Sequence, residues 1–209
     1  MAQLTFYTNP QSRGRSVRWM LEECGASFDT VIMDYDGSLQ SPEYLAINPM
    51  GKIPTLRYGD TVITEAAAII LFLADLFPEK QLAPAVGSAE RGSYYRWFCF
   101  MAGPMEAAVM EKVWKFSPPA EASRSLGYGD FERVVRTVEQ ALSGTEYLLG
   151  QQFSAADLYM SAFLEFCYRM NVWPESRVCR DYIQRIQQRP AYTRANAWPT
   201  CPPPNKATG

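Results

Sequence analysis

Polar and apolar positions alternate over residues 3–7, Gln-Leu-Thr-Phe-Tyr, which places Leu4 and Phe6 on one face of a predicted strand. Asn9-Pro10 ends that strand, and a helical spacing takes over. Val17, Met20, Leu21 and Cys24 share one side of a helix, and Gly25 supplies the left-handed residue that closes its last turn. Residues 30–33, Thr-Val-Ile-Met, predict a second short strand. Residues 54–58 and 61–64 read as the arms of a β-hairpin around Gly59-Asp60, a pair suited to a tight primed turn. Over residues 65–77 the helical period returns through Ala66, Ile69, Ile70, Leu73 and Leu76. The order β-α-β, hairpin, helix describes a mixed sheet with helices on its faces.

The strand signals stop there. The pattern predicts a first domain over residues 1–78, a linker over 79–88, and an all-helical domain over 89–200. One helix spans 130–142, with Phe131, Val134, Val135, Val138 and Leu142 on a single face. Another begins at Ser154, where Asp157 three residues on completes a variant of the capping box. A last one runs through Val178, Tyr182, Ile183 and Ile186 and stops before Pro190. The Pro-rich end, residues 201–209, predicts a flexible tail.

Composition narrows the chemistry. A chain of 209 residues that is 47% hydrophobic can bury the cores of two small domains. Its 20 Lys plus Arg against 22 Asp plus Glu, with no basic cluster, exclude the electrostatic footprint of a nucleic-acid binder. No segment has the continuous apolar length of a membrane span, and residues 1–5, Met-Ala-Gln-Leu-Thr, lack a basic stretch followed by an apolar run, so a cytoplasmic protein is expected. The histidine count is 0, which removes Ser-His and Cys-His machinery and the commonest transition-metal ligand. The 5 cysteines, at 24, 99, 167, 179 and 201, show no Cys-x-x-Cys spacing. No metal site is expected, and chemistry is left to hydroxyls, carboxylates, backbone amides or a borrowed thiol.

Four stretches, in this order, carry a resemblance. They are residues 6–15, Phe-Tyr-Thr-Asn-Pro-Gln-Ser-Arg-Gly-Arg, ahead of Arg18-Trp19; residues 48–56, Asn-Pro-Met-Gly-Lys-Ile-Pro-Thr-Leu; residues 64–69, Thr-Glu-Ala-Ala-Ala-Ile; and residues 153–157, Phe-Ser-Ala-Ala-Asp. Together they resemble the cytosolic glutathione S-transferases, over the chain from Leu4 to about Pro190. The resemblance implies an α/β thioredoxin-like N-terminal domain plus an all-α C-terminal domain, a homodimer, and glutathione as cosubstrate.

By that resemblance Ile53-Pro54 is cis and turns the Ile53 main chain toward the cysteinyl part of an extended peptide; an ordinary trans proline opening a strand is the alternative. Glu65 and Ala66 open a helix whose N-terminus suits a carboxylate, with Glu65 taking the γ-glutamyl ammonium. The alternative for Glu65 is a plain capping carboxylate. The family usually has Ser where Ala66 stands, so one side-chain hydrogen bond to a charged group, worth about 1.5–3 kcal/mol, is missing. Lys52 and Gln40 match positions that reach the glycyl carboxylate, against a reading as solvated loop residues.

Two hydroxyls compete for the thiol. Depressing a thiol pKa by about two units takes roughly 2.7 kcal/mol of preferential thiolate stabilisation. Ser12, beside Arg13, resembles the Ser-Arg of the fungal and bacterial serine-type branch; Tyr7 matches the tyrosine of animal classes. Proximity to a helix N-terminus favours Ser12, with an N-cap and a half-buried strand residue as the structural alternatives. No cysteine occupies this loop, against the branches that form mixed disulfides, and the Ser-Ser-Cys signature of the maleylacetoacetate isomerase branch is absent. The electrophile is expected between the domains among soft side chains, with Met101, Met105 and Trp114 as candidates and core packing as the alternative. The function implied is conjugation of glutathione to small hydrophobic electrophiles. Glutathione-dependent peroxide reduction, dehalogenation or isomerisation on the same scaffold is one alternative, and a non-catalytic glutathione-binding or interaction module is another.

Overall fold

A computed structural model describes residues 2–198. The chain forms two compact units: residues 2–66 together with 190–198, and Ala67–Arg189. The expected tail, 201–209, and Cys201 lie outside the described residues.

In the first unit, β1 (Leu4–Thr8), β2 (Phe28–Ile32), β3 (Thr55–Tyr58) and β4 (Thr61–Thr64) make a four-stranded sheet in the order β2-β1-β3-β4. β2 runs parallel to β1, with Thr8 opposite Ile32, while β3 is antiparallel to both β1 and β4. The alternation in β1 holds: Leu4, Phe6 and Thr8 are buried on one face. β2 starts two residues before its expected position. It is an edge strand whose Val31 and Ile32 stay exposed, so little burial marks it in the sequence.

α1 (Gly14–Cys24) buries Val17, Trp19, Met20 and Leu21 and ends at Gly25, φ 62°. Its start is fixed by a close approach. A Cβ on Gly14 would lie 1.9 Å from Thr8 Oγ1 and 2.9 Å from Ser12 Oγ, so only glycine lets the helix abut the end of β1. Pro190, expected to follow the last helix, instead opens a further one, α9 (Pro190–Asn196), because proline fits the first turn of a helix as well as it stops one. α9 packs on α1: Trp19 and Tyr192 meet edge to face at 4.7 Å, and Arg194 donates to the Glu22 carboxylate and carbonyl at 3.0 Å. α2 (Pro42–Leu45), capped by Ser41 and with Pro42 in its first turn, is too short to show a period in the sequence.

The second unit is helical: it takes α3 (Ala66–Leu76) from its second residue on, then α4 (Ala89–Phe100), α5 (Glu106–Trp114), α6 (Phe131–Leu142), α7 (Ala155–Arg169) and α8 (Arg177–Ile186). Pro104 lacks an N–H, and the turn Met101–Met105 between α4 and α5 widens into a π-helix around it. The face foreseen for α6 is buried at all five positions. The stretch expected as a linker is tied down, since Leu82 is buried and its carbonyl accepts from the Ala155 amide at 2.7 Å. Buried Arg91 donates to Asp75 at 2.6 Å and to the Pro84 carbonyl at 2.9 Å.

The capping box at the start of α7 is present, and it is larger than its sequence motif. Asp157 accepts from the Ser154 amide at 2.9 Å and the Ser154 hydroxyl at 3.1 Å; it also accepts from the Leu148 amide at 2.6 Å and the Tyr182 hydroxyl at 2.8 Å. Burial pushes its carboxyl above the ordinary range, and these hydrogen bonds pull the other way.

Candidate functional site

Register brings the sequence-predicted glutathione residues of the first unit to one end of the sheet. β1, β2 and β4 finish at this end and β3 starts there, with Tyr7, Thr55 and Thr64 in one row across three strands. The loop 9–13, the segment 33–40, Ile53-Pro54 and Glu65 therefore leave the same edge. From the end of β1 to the end of β4 is two strand spacings, about 10 Å, which an extended tripeptide also spans.

Ser12 lies between β1 and α1. Its hydroxyl donates to the Asn9 carbonyl at 2.7 Å and accepts the Gly14 amide at 2.9 Å, so the oxygen sits on the first amide of α1. The loop is anchored to the neighbouring strand, because Asn9 donates from its amide to the Met33 carbonyl at 2.8 Å and the Met33 amide donates to Thr8 at 2.8 Å. Tyr35, in the segment that follows β2, is 56% exposed. Partial burial raises the Tyr35 phenol pKa, and the Ser12 hydroxyl opposes that shift. Tyr7 is differently placed. Its half-buried ring packs in a cluster with Met33, Leu39, Tyr44 and Ile53, 5.8 Å from the Tyr44 ring.

The peptide before the proline is held from beneath. The Lys52 carbonyl accepts from the Tyr44 hydroxyl at 2.5 Å and the Asn48 amide at 2.8 Å, and both partners also bond the buried Thr55 hydroxyl, at 2.9 and 3.2 Å. Burial raises the Tyr44 pKa, and the neighbouring polar groups of Thr55 and Asn48 oppose this. Ile53-Pro54 is cis, as the resemblance implies. The Ile53 main chain forms no hydrogen bond within the described residues, which leaves an amide and a carbonyl for an extended partner. Gln40 and the Lys52 loop are neighbours. A Cβ on Gly51, φ +59°, would lie 2.6 Å from Gln40 Nε2 and 2.8 Å from the Leu39 carbonyl, so glycine permits this approach.

Glu65 has φ 64°, a left-handed conformation that L-residues other than Asn, Asp and His seldom take. It is exposed, and its carboxylate has no hydrogen-bond or ion-pair partner among the described residues. A strained, uncommitted acid ahead of a helix is hard to explain as a capping residue and fits one held for a ligand. Ala66 is half-buried and offers only its amide.

The three electrophile candidates separate. Met101 and Met105 are fully buried in the π turn, whereas Trp114, at the end of α5, is 78% exposed. Tyr44 escaped sequence reasoning, because it acts through Lys52 and Thr55 in another segment. Asn48, within residues 48–56, is the one sequence signal of this buried network.

The family model for the glutathione S-transferase N-terminal domain matches residues 12–76, and that for the C-terminal domain matches residues 100–190. Glutathione S-transferase F10 of Arabidopsis thaliana is 33% identical over 181 residues, covering 78% of this chain and 80% of its own length. A glutathione transferase structure from Methylococcus capsulatus matches with a TM-score of 0.76 at 30% identity, over 92% of this chain and 97% of that one. The theta class glutathione S-transferase of Xanthomonas axonopodis pv. citri, solved with glutathione bound, matches with a TM-score of 0.75 at 25% identity, over 96% of this chain and 100% of that one. The sheet order, the helical second unit and these matches make the fold a thioredoxin-like domain joined to an all-α domain. On the family models and the Arabidopsis relative together, the chain belongs to the glutathione S-transferase family.

Proposed function

We propose that the protein binds glutathione at this end of the sheet and transfers it, as the thiolate, to a small hydrophobic electrophile. The observation that carries the reading is the uncommitted chemistry gathered there: the Glu65 carboxylate in a strained backbone and the unpaired Ile53 main chain beside a cis proline. In this reading Glu65 takes the γ-glutamyl ammonium and the Ala66 amide its carboxylate; Ile53 pairs with the cysteinyl unit, and Gln40 with Lys52 takes the glycyl carboxylate. The xanthomonad structure with glutathione bound supports the ligand class.

Ser12 stabilises the thiolate. Its oxygen already accepts the α1 amide, so swinging its one proton from the Asn9 carbonyl gives a donor backed by the helix N-terminus. Tyr7 remains the rival donor from the packed cluster. Trp114 is the accessible electrophile candidate; Met101 and Met105 fit the core alternative better. A homodimer and a cytoplasmic location complete the reading. The first rests on the resemblance; the second accords with the absence of disulfides among Cys24, Cys99, Cys167 and Cys179 and of any described helix long and apolar enough to cross a membrane. Ala66 in place of serine favours a second reading, a glutathione-binding module without turnover.

Ser12→Ala is expected to lower kcat with a model aromatic halide about 100-fold, the scale of one oxyanion-type donor, while Tyr7→Phe stays within about threefold. The reverse ranking assigns the role to Tyr7. Indifference to both changes in an active enzyme removes the mechanism.

A further inference from the structure

The pair Asn9-Pro10 does more than end a strand. Because β1 and β2 are parallel with Thr8 opposite Ile32, residue 33 faces β1 with both of its main-chain groups. The Met33 amide donates to the Thr8 carbonyl at 2.8 Å, and one more rung of the ladder would bring the Met33 carbonyl the amide of residue 10. Residue 10 is proline and has no N–H to give. The Asn9 side chain supplies the missing donor, with its Nδ2 at 2.8 Å from the Met33 carbonyl oxygen. We propose that Asn9 is a positioning residue for thiolate formation: by standing in for the absent proline amide it fastens the Ser12 loop to Met33, and so fixes both the serine and the carbonyl on which the serine proton rests.

Further bonds of the loop converge on Asn9. Its Oδ1 accepts the Gln11 amide at 2.9 Å, which closes the turn around the proline, and its carbonyl accepts both the Ser12 amide at 2.9 Å and the Ser12 hydroxyl at 2.7 Å. That carbonyl can hold the serine proton and also let it go. When the hydroxyl turns its proton to the glutathione sulfur, the Ser12 amide still satisfies the carbonyl, and the Gly14 amide, 2.9 Å from the serine oxygen, keeps its acceptor. A donor contributes most when it is held in place before the charge develops, because no reorganisation is then needed in the step. The anchor is firm, since Met33 is buried with Leu39 and Tyr44 in the cluster on which Ile53 packs. One cluster therefore carries the serine loop and the Ile53 main chain left for the cysteinyl unit, which fixes the donor relative to the thiol. In the step itself the thiol S–H breaks and its proton departs to solvent, while the serine O–H stays intact.

This proposal rests on the glutathione reading, and its test separates the two. Ultraviolet absorbance of the bound thiolate is followed against pH for the wild type, Asn9→Ser, Asn9→Ala, Ser12→Ala and the Asn9→Ser, Ser12→Ala double variant, with glutathione affinity measured by calorimetry. Asn9→Ser keeps an oxygen for the Gln11 amide and loses the donor that reaches the Met33 carbonyl. It is expected to raise the bound thiol pKa by about 0.5–1 unit, lower kcat about threefold to tenfold and leave affinity within about twofold. Asn9→Ala, which loses both side-chain bonds, is expected to shift the pKa at least as far. In the Ser12→Ala background Asn9→Ser is expected to have no further effect on the pKa. A wild type that binds glutathione with a depressed thiol pKa, beside Asn9→Ser and Asn9→Ala variants with the same pKa, overturns the Asn9 role and leaves the glutathione reading standing. Equal pKa shifts with and without Ser12 also overturn it, by showing that Asn9 acts on the thiol without the serine. A wild type without bound thiolate removes both.

Discussion

Asp157→Ala is expected to destabilise the second unit by about 3–5 kcal/mol and lower the midpoint of thermal unfolding by roughly 10 °C, measured by calorimetry and urea denaturation. The carboxylate is fully buried and receives the Leu148 amide, the Ser154 amide and hydroxyl, and the Tyr182 hydroxyl. Alanine strands these donors away from water at about 1–3 kcal/mol each, partly offset by the relief of an ion's burial. Asp157→Asn separates the contributions. It keeps an oxygen for Leu148 and Tyr182 and loses the acceptor for the Ser154 amide, so a smaller loss of about 1–2 kcal/mol is expected. A loss under about 1 kcal/mol for alanine would make this a simple helix cap.

Glu65→Gly is expected to move stability and binding in opposite directions. Glutamate at φ 64° carries strain of order 1 kcal/mol that glycine does not, while glycine adds chain entropy to the unfolded state; stability should stay level or rise by up to about 1 kcal/mol. Glutathione affinity should fall about tenfold to 100-fold. A hydrogen bond between the carboxylate and the γ-glutamyl ammonium is worth about 1.5–3 kcal/mol, and each 1.4 kcal/mol is a factor of ten. A capping residue gives the other pattern, lower stability with unchanged affinity. That result would return Glu65 to a structural role.

These two residues mark where the sequence was informative. Ser154 and Asp157 stand three apart, so their reciprocal cap is readable from spacing alone, whereas Tyr182 is 25 residues away and Leu148 is 9, and neither leaves a local trace. Glu65 is legible through the residues around it, whereas its left-handed backbone belongs to φ and not to any residue pattern. Gly25 was legible because a helix stop has a local cause, while Gly14 was not, since its necessity comes from Thr8 on the adjoining strand. Pro190 misled by the same route: one residue type both ends and opens helices, and the packing of α9 on α1 decides between them. The hydroxyls near the site divided likewise, with Ser12 readable beside Arg13 and Tyr44 tied to the site only through its bonds to the Lys52 carbonyl and Thr55.

Glutathione titrated into the wild-type protein by calorimetry, followed by thiolate absorbance across pH, tests the central claim most directly. The account predicts saturable binding and a bound thiol pKa about two units below the roughly 8.5 of an ordinary cysteine. Absence of binding at millimolar glutathione would contradict it, and would mean that the fold has been kept while the function has moved elsewhere.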